Sequence, residues 1–131
     1  MNAPMKFKHE IILDGCKVYR RIHKNWLNNK GEVRHLAFKD FDDNPQNGMS
    51  VDWAKYATAQ KSIESSGKTD VWIKVAVLIV KNIRDIKPLE VEHTPSNHKR
   101  EHATVWGEKT TEIRMKLLKS CQQILAPPFV E

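Results

Sequence analysis

The ten residues Val71-Trp72-Ile73-Lys74-Val75-Ala76-Val77-Leu78-Ile79-Val80 decide how the chain is read. Their β-branched side chains suit a strand covered on both faces. A helix is the rival reading, because Lys74, Lys81 and Asp85 recur at intervals of seven and four and would form one polar stripe. The strand is preferred to about Leu78, followed by a short helical turn through Ile83. Such a strand needs sheet neighbours and a covering layer, so the fold class turns on what flanks it.

On the C-terminal side, Pro88 restarts the chain and Leu89-Glu90-Val91-Glu92-His93 alternates as a strand does. Thr94-Pro95-Ser96-Asn97 breaks that run, and His102-Ala103-Thr104-Val105-Trp106 forms a second strand ended by Gly107. The two pair naturally as an antiparallel hairpin. Beyond them Ile113, Leu117, Cys121 and Ile124, with Leu118 and Leu125 beside them, follow a helical apolar stripe. Thr110 or Thr111 can cap this helix, Glu112 suits its first turn, and Pro127-Pro128 stops it.

On the N-terminal side, Ser50 or Asp52 reads as the cap of a middle helix over residues 53–64, ended by Ser65-Ser66-Gly67-Lys68. Two strand-like runs over residues 10–22 surround Asp14-Gly15, a dipeptide suited to a tight hairpin. Between them lies a polar stretch with turn chemistry at Asn28-Asn29-Lys30-Gly31 and Asp42-Asp43-Asn44-Pro45, and Glu32 to Phe41 supplies one short strand. The expectation is a single α+β domain over residues 1–131. Its sheet is mostly antiparallel, with a C-terminal amphipathic helix and one middle helix packed on it. Residues 1–8 read as a flexible lead and 126–131 as a tail.

Composition narrows the function classes. With 40% hydrophobic and 29% charged residues among 131, the chain has a globular balance. The longest nearly apolar run falls far short of the roughly 20 residues that cross a bilayer. No signal-peptide pattern follows the basic start, and Cys16 and Cys121 lie far apart without CxxC spacing. Free thiols and a cytoplasmic location are expected. The formal charge of +6 favours an anionic partner such as nucleic acid. Phosphate-binding glycine loops, HExxH, GxSxG and paired-cysteine zinc patterns are absent from the sequence. No cofactor is expected.

Two segments concentrate chemistry. His93, His98 and His102 fall within ten residues, together with Asn97, Lys99, Arg100 and Glu101. If the hairpin forms, His93 and His102 are expected side by side at its mouth. One imidazole would take a proton from a phosphodiester substrate and the other give one, with Lys99, Arg100 or Arg114 steadying the phosphate charge. Other readings remain open: a zinc site completed by Glu92 or Glu101, or a structural turn. The second segment, Lys17, Arg20, Arg21, His23 and Lys24 with Tyr19 and Trp26, mixes cations with aromatics as a nucleic-acid strip does, or guards a strand edge. Trp53, Trp72 and Trp106 are read as core.

As an ordered set, Val18-Tyr19-Arg20-Arg21-Ile22, Ala37-Phe38, Met49-Ser50-Val51-Asp52, His93-Thr94-Pro95, His102-Ala103 and Gly107-Glu108-Lys109 resemble a family of small bacterial proteins. The resemblance spans most of the chain. It implies a bacterial source and a fold of its own kind, and it carries no activity. Lys99-Arg100-Glu101 before His102, with Asn97 displaced, departs from that pattern.

The leading functional expectation is a nucleic-acid-associated accessory protein, with Arg20, Arg21, Lys24, Lys99, Arg100 and Arg114 as its binding residues. A metal-independent ribonuclease or toxin-like enzyme using His93 and His102 is the alternative from a different class. A protein-interaction module is the third.

Overall fold

A computed structural model describes residues 6–130. Six strands form one sheet: β1 (Lys17–His23), β2 (Met49–Trp53), β3 (Trp72–Ile79), β4 (Glu90–His93), β5 (His102–Trp106) and β6 (Gln123–Leu125). Their order is β4-β5-β2-β1-β3-β6, and every pairing is antiparallel. Three helices, α1 (Ala59–Glu64), α2 (Val80–Arg84) and α3 (Thr111–Ser120), complete the α+β fold with 3-10 turns, among them one at His35–Phe38.

The deciding stretch is a strand. β3 lies between β1 and β6, so both of its edges are paired and both its faces covered, as its run of Val and Ile requires. The chain then turns directly into α2. Alternation along each strand sorts side chains between two layers. One face carries Val18, Ile22, Met49, Val51, Trp53, Ala76, Leu78, Val91, Ala103 and Val105, closed by Phe38, Ile83, Leu89 and Leu117 in the main core. The other carries Tyr19, Val75, Val77 and Leu125 under Ala59 and Ile63 of α1.

Several expectations are corrected. Glu10 to Leu13 forms no strand, although Asp14-Gly15 does turn. β1 already has β2 on one side and β3 on the other, which leaves no free edge for a hairpin partner. Instead Ile12 plugs the core at 2% exposure, while Ile11 and Leu13 stay exposed. Residues 49–53 are a strand, not a helix start. The helix begins later, capped by Thr58, whose hydroxyl accepts the Lys61 N–H at 3.1 Å. Glu32 to Phe41 contributes only an isolated bridge, Leu27 to Val33, and the 3-10 turn.

α3 starts as expected, with the Thr110 hydroxyl accepting the Ile113 N–H at 3.2 Å, but it stops at Ser120. Cys121 leaves helical geometry at ψ 128°, and Ile124 and Leu125 belong to β6. Of the expected lead and tail, residues 1–5 and 131 lie outside the described residues. Phe7 is half-buried, and the Lys6 N–H donates to Asn97 Oδ1 at 2.8 Å. No described helix is long and apolar enough to cross a membrane.

Candidate functional site

β1 and β2 pair over only two positions, Val18 with Trp53 and Tyr19 with Asp52. Past these the strands part, although β1 continues to His23 along β3. Strands that diverge leave carbonyls without ladder partners, and a buried orphan carbonyl is costly. Arg20 fills the gap. Its guanidinium donates to Ser50 O at 2.9 Å, Ala37 O at 3.0 Å and Lys39 O at 3.3 Å. Burial and the neighbouring Arg21 charge push its pKa down to about 10, which leaves it protonated at neutral pH.

The opening holds a cavity of about 390 Å³. Arg20, Arg21, Trp26 and Trp72 line it on the β1 side, Ser50 on the β2 side, and Lys39 to Asp42 at its end. Each arginine stacks on an indole, Arg20 at 5.1 Å from the Trp26 ring and Arg21 at 5.5 Å from the Trp72 ring. The two indoles meet edge to face, 5.4 Å apart. Phe41 stands 67% exposed at the end wall. Asp42 and its neighbour Asp43 both hold left-handed backbone, at φ 54° and 55°. Such residues cost of order 1 kcal/mol or more each and cluster at functional sites. Gly48, at φ 71°, anchors this loop against β5, because a Cβ there would stand 2.3 Å from Thr104 Cγ2. The Phe41 N–H closes the loop onto Gly48 O.

Ser50 and Asp52 point to the α1 face of the sheet. Asp52 is 5% exposed and accepts the Ser62 hydroxyl of α1, while Arg21 donates to Ser62 O at 3.3 Å. Ser50 Oγ stands 3.2 Å from His102 Nε2. On the far side of that imidazole, Nδ1 lies 2.9 Å from both Thr94 O and Thr94 Oγ1. A carbonyl only accepts, so Nδ1 carries the proton and Nε2 presents its lone pair to the Ser50 hydroxyl. The Thr94 hydroxyl bonds on to Thr104 Oγ1 at 2.7 Å.

The expected pairing of His93 with His102 is corrected. The hairpin forms, but its register puts His93 opposite Ala103, so the two histidines project from opposite faces. His93 is fully buried against Trp53, with ring centres 5.1 Å apart. Its Nδ1 accepts the Glu10 N–H at 3.0 Å and its Nε2–H donates to Arg100 O at 2.6 Å. Both nitrogens therefore pin the N-terminal segment and the hairpin loop. His98 is exposed in that loop, so the three histidines do not converge. Among the described residues no group of three or more His, Cys, Asp or Glu side chains is arranged to hold a metal. The zinc arrangement with Glu92 or Glu101 is thus not formed.

The basic residues divide in the same way. Arg20 and Arg21 share the cavity, while Lys24 is exposed in the 3-10 turn that carries Trp26. Arg100 lies over Tyr56 at 4.1 Å and near Phe7, and Lys99 is held in the loop turn by Ser96. Arg114 is occupied at the start of α3 by Lys109 O, Thr111 and His35. Lys99, Arg100 and Arg114 line no part of the cavity. Trp72, read as core, is half-buried and forms its wall.

Phe41, Ser50, Asp52 and Thr94 were not singled out as site residues by the sequence reading. The alternation of Met49-Ser50-Val51-Asp52-Trp53 is the signal that would have placed Ser50 and Asp52 together on one sheet face. A larger open depression of about 580 Å³ lies beside Phe7, His9 and His93, but the His93 nitrogens are already spent on backbone groups.

No protein-family model matches the chain, and no curated protein or solved structure shows significant similarity to it.

Proposed function

We propose that the chain is a nucleic-acid-binding accessory protein that takes a single-stranded segment into the cavity between β1 and β2. The observation that carries this reading is the pair of arginine-on-tryptophan stacks in one opening. A base offers a flat π face to indole or phenyl rings, and a phosphate offers charge to guanidinium. Bases in a duplex are stacked away from such a cavity, which favours single strands. The net charge of +6 supports attraction to a polyanion. Lys24 extends the basic rim, whereas Lys99, Arg100 and Arg114 lie outside the cavity and take no part in this binding.

Fluorescence anisotropy with single-stranded RNA, single-stranded DNA and the matching duplex tests this at low and moderate salt. Single strands should bind, and more weakly as salt rises. Trp72→Ala should weaken binding by about 5- to 150-fold, the equivalent of about 1–3 kcal/mol for one stacked base. Arg21→Ala should weaken it and flatten the salt dependence, while Arg114→Ala should change neither. Absence of salt-sensitive binding, or an Arg21→Ala variant that binds as the parent does, would overturn the reading. The interaction-module alternative draws on Ile11 and Leu13, exposed at 81% and 69%.

A further inference from the structure

The hydrogen-bond order around His102 points to chemistry as well as binding. Thr94 O fixes the proton on Nδ1, so the unprotonated Nε2 faces a serine hydroxyl 3.2 Å away. A nucleophile beside a base, with the base held by a third group, is the arrangement that activates a weak hydroxyl. Ser50 also lines the cavity, on the wall opposite Arg21 and Trp72. Ser50 therefore links the parts that a transfer reaction needs: a base 3.2 Å from its hydroxyl, and a cavity whose lining it shares with a cation for the developing charge.

We propose that Ser50 is a catalytic nucleophile, with His102 as its general base, acting on phosphodiesters held in the cavity. The substrate class rests on the nucleic-acid reading above; the nucleophile itself does not. In the first step Ser50 Oγ bonds to phosphorus and the bond from phosphorus to the leaving oxygen breaks. The hydroxyl proton passes to His102 Nε2 and from there to the leaving oxygen. In the second step His102 takes a proton from water, the resulting hydroxide bonds to phosphorus, and the bond from phosphorus to Ser50 Oγ breaks; Oγ takes the proton back from the imidazolium and the phosphate monoester leaves. Arg21 contributes positive charge to the cavity that receives the phosphoryl oxygens. Thr94 is a positioning residue that sets the His102 tautomer.

The test uses the full chain and an alkyl fluorophosphonate, in which attack by Oγ expels fluoride and the hydroxyl proton goes to His102. Tandem mass spectrometry should locate one adduct, on Ser50, with none on the exposed Ser65 or Ser96. His102→Asn keeps a donor toward Thr94 O but has no counterpart of Nε2, and it should slow labelling by about 100-fold or more. Ser50→Ala should abolish it, with circular dichroism showing that both variants fold. The position of the adduct in the parent protein depends on no variant.

No adduct on Ser50, or equal labelling of the exposed serines, would overturn the proposal, as would an unchanged rate in a folded His102→Asn protein. Single-stranded oligonucleotides should slow labelling by competition and should be cleaved by the parent protein and not by Ser50→Ala. Labelling of Ser50 with no oligonucleotide binding would keep the nucleophile and reject the nucleic-acid substrate. Oligonucleotide binding with no labelling would reject the nucleophile and keep the binding reading.

Discussion

Lys109 and Asp40 bury a full ion pair beside the cavity, with side chains only 2% and 3% exposed. Lys109 Nζ donates to Asp40 Oδ1 at 2.6 Å and to the carbonyls of Val105 and Gly107. Burial pulls the Lys109 pKa below its ordinary value, and the Asp40 carboxylate opposes that shift. With the Asp40 charge paired to Lys109, Arg20, Arg21 and Lys39 share the cavity lining with one further carboxylate, that of Asp42. Lys109→Met should cost about 3–5 kcal/mol in urea unfolding, since it leaves a buried carboxylate unpaired. Adding Asp40→Leu should recover most of that loss. A single-variant loss under about 1 kcal/mol would contradict this account. Nothing in the sequence announces the pair, because its members lie 69 positions apart and each looks like an ordinary surface charge.

At the scale of elements, the N-terminal segment is held by contacts that depend on pH. The Glu10 carboxylate accepts from Lys55 at 2.8 Å and from the Tyr56 hydroxyl. The Lys55 bond, then the Tyr56 bond, hold its pKa below the ordinary 4.5. The Glu10 bond likewise raises Lys55 above 10.5. A depressed carboxylate contributes stability above its unfolded pKa and loses it as pH falls through the folded value. A raised lysine contributes below its unfolded pKa and loses it as pH rises through the folded value. The segment should therefore be anchored from about pH 5 to 10 and loosen outside that window. Hydrogen exchange of residues 7–13 at pH 3 and pH 6 checks the acid limb, and equal protection at both would refute it.

The same scale shows which elements were legible. β3, the β4–β5 hairpin and the start of α3 announce themselves through strong periodicity and a cap. β2 reads as a helix start because Ser50 and Asp52 are good helix caps as well as polar strand residues that alternate with the core. The sheet prevailed because His102 and Ser62 supply their partners. The helical stripe runs past the end of α3 because Ile124 and Leu125 continue its spacing by coincidence, whereas β3 offers them a strand edge. The candidate site was half legible. Its cations and His102 were visible, but the His93–His102 register and the Ser50 contact depend on strand pairing that composition does not encode.

For the whole molecule, topology sets the folding rate. β1 is laid down early but pairs with strands that begin at Met49 and Trp72, so its partners arrive from far along the chain. Sheets built on such distant pairings pay loop-closure entropy before contacts reward it, and they fold in milliseconds to seconds. Stopped-flow tryptophan fluorescence should find refolding in that range, and microsecond relaxation would contradict the strand order.

Because the seam between β1 and β2 is two residue pairs long, the sheet is in effect two three-stranded leaves, β4-β5-β2 and β1-β3-β6. Arg20 is the keystone between them, latching a carbonyl of β2 from a side chain of β1. An anion that pulled Arg20 aside would leave three carbonyls unsatisfied and would be competing with the architecture itself. Arg21, with a single carbonyl bond, can turn to a guest at far less cost to the sheet.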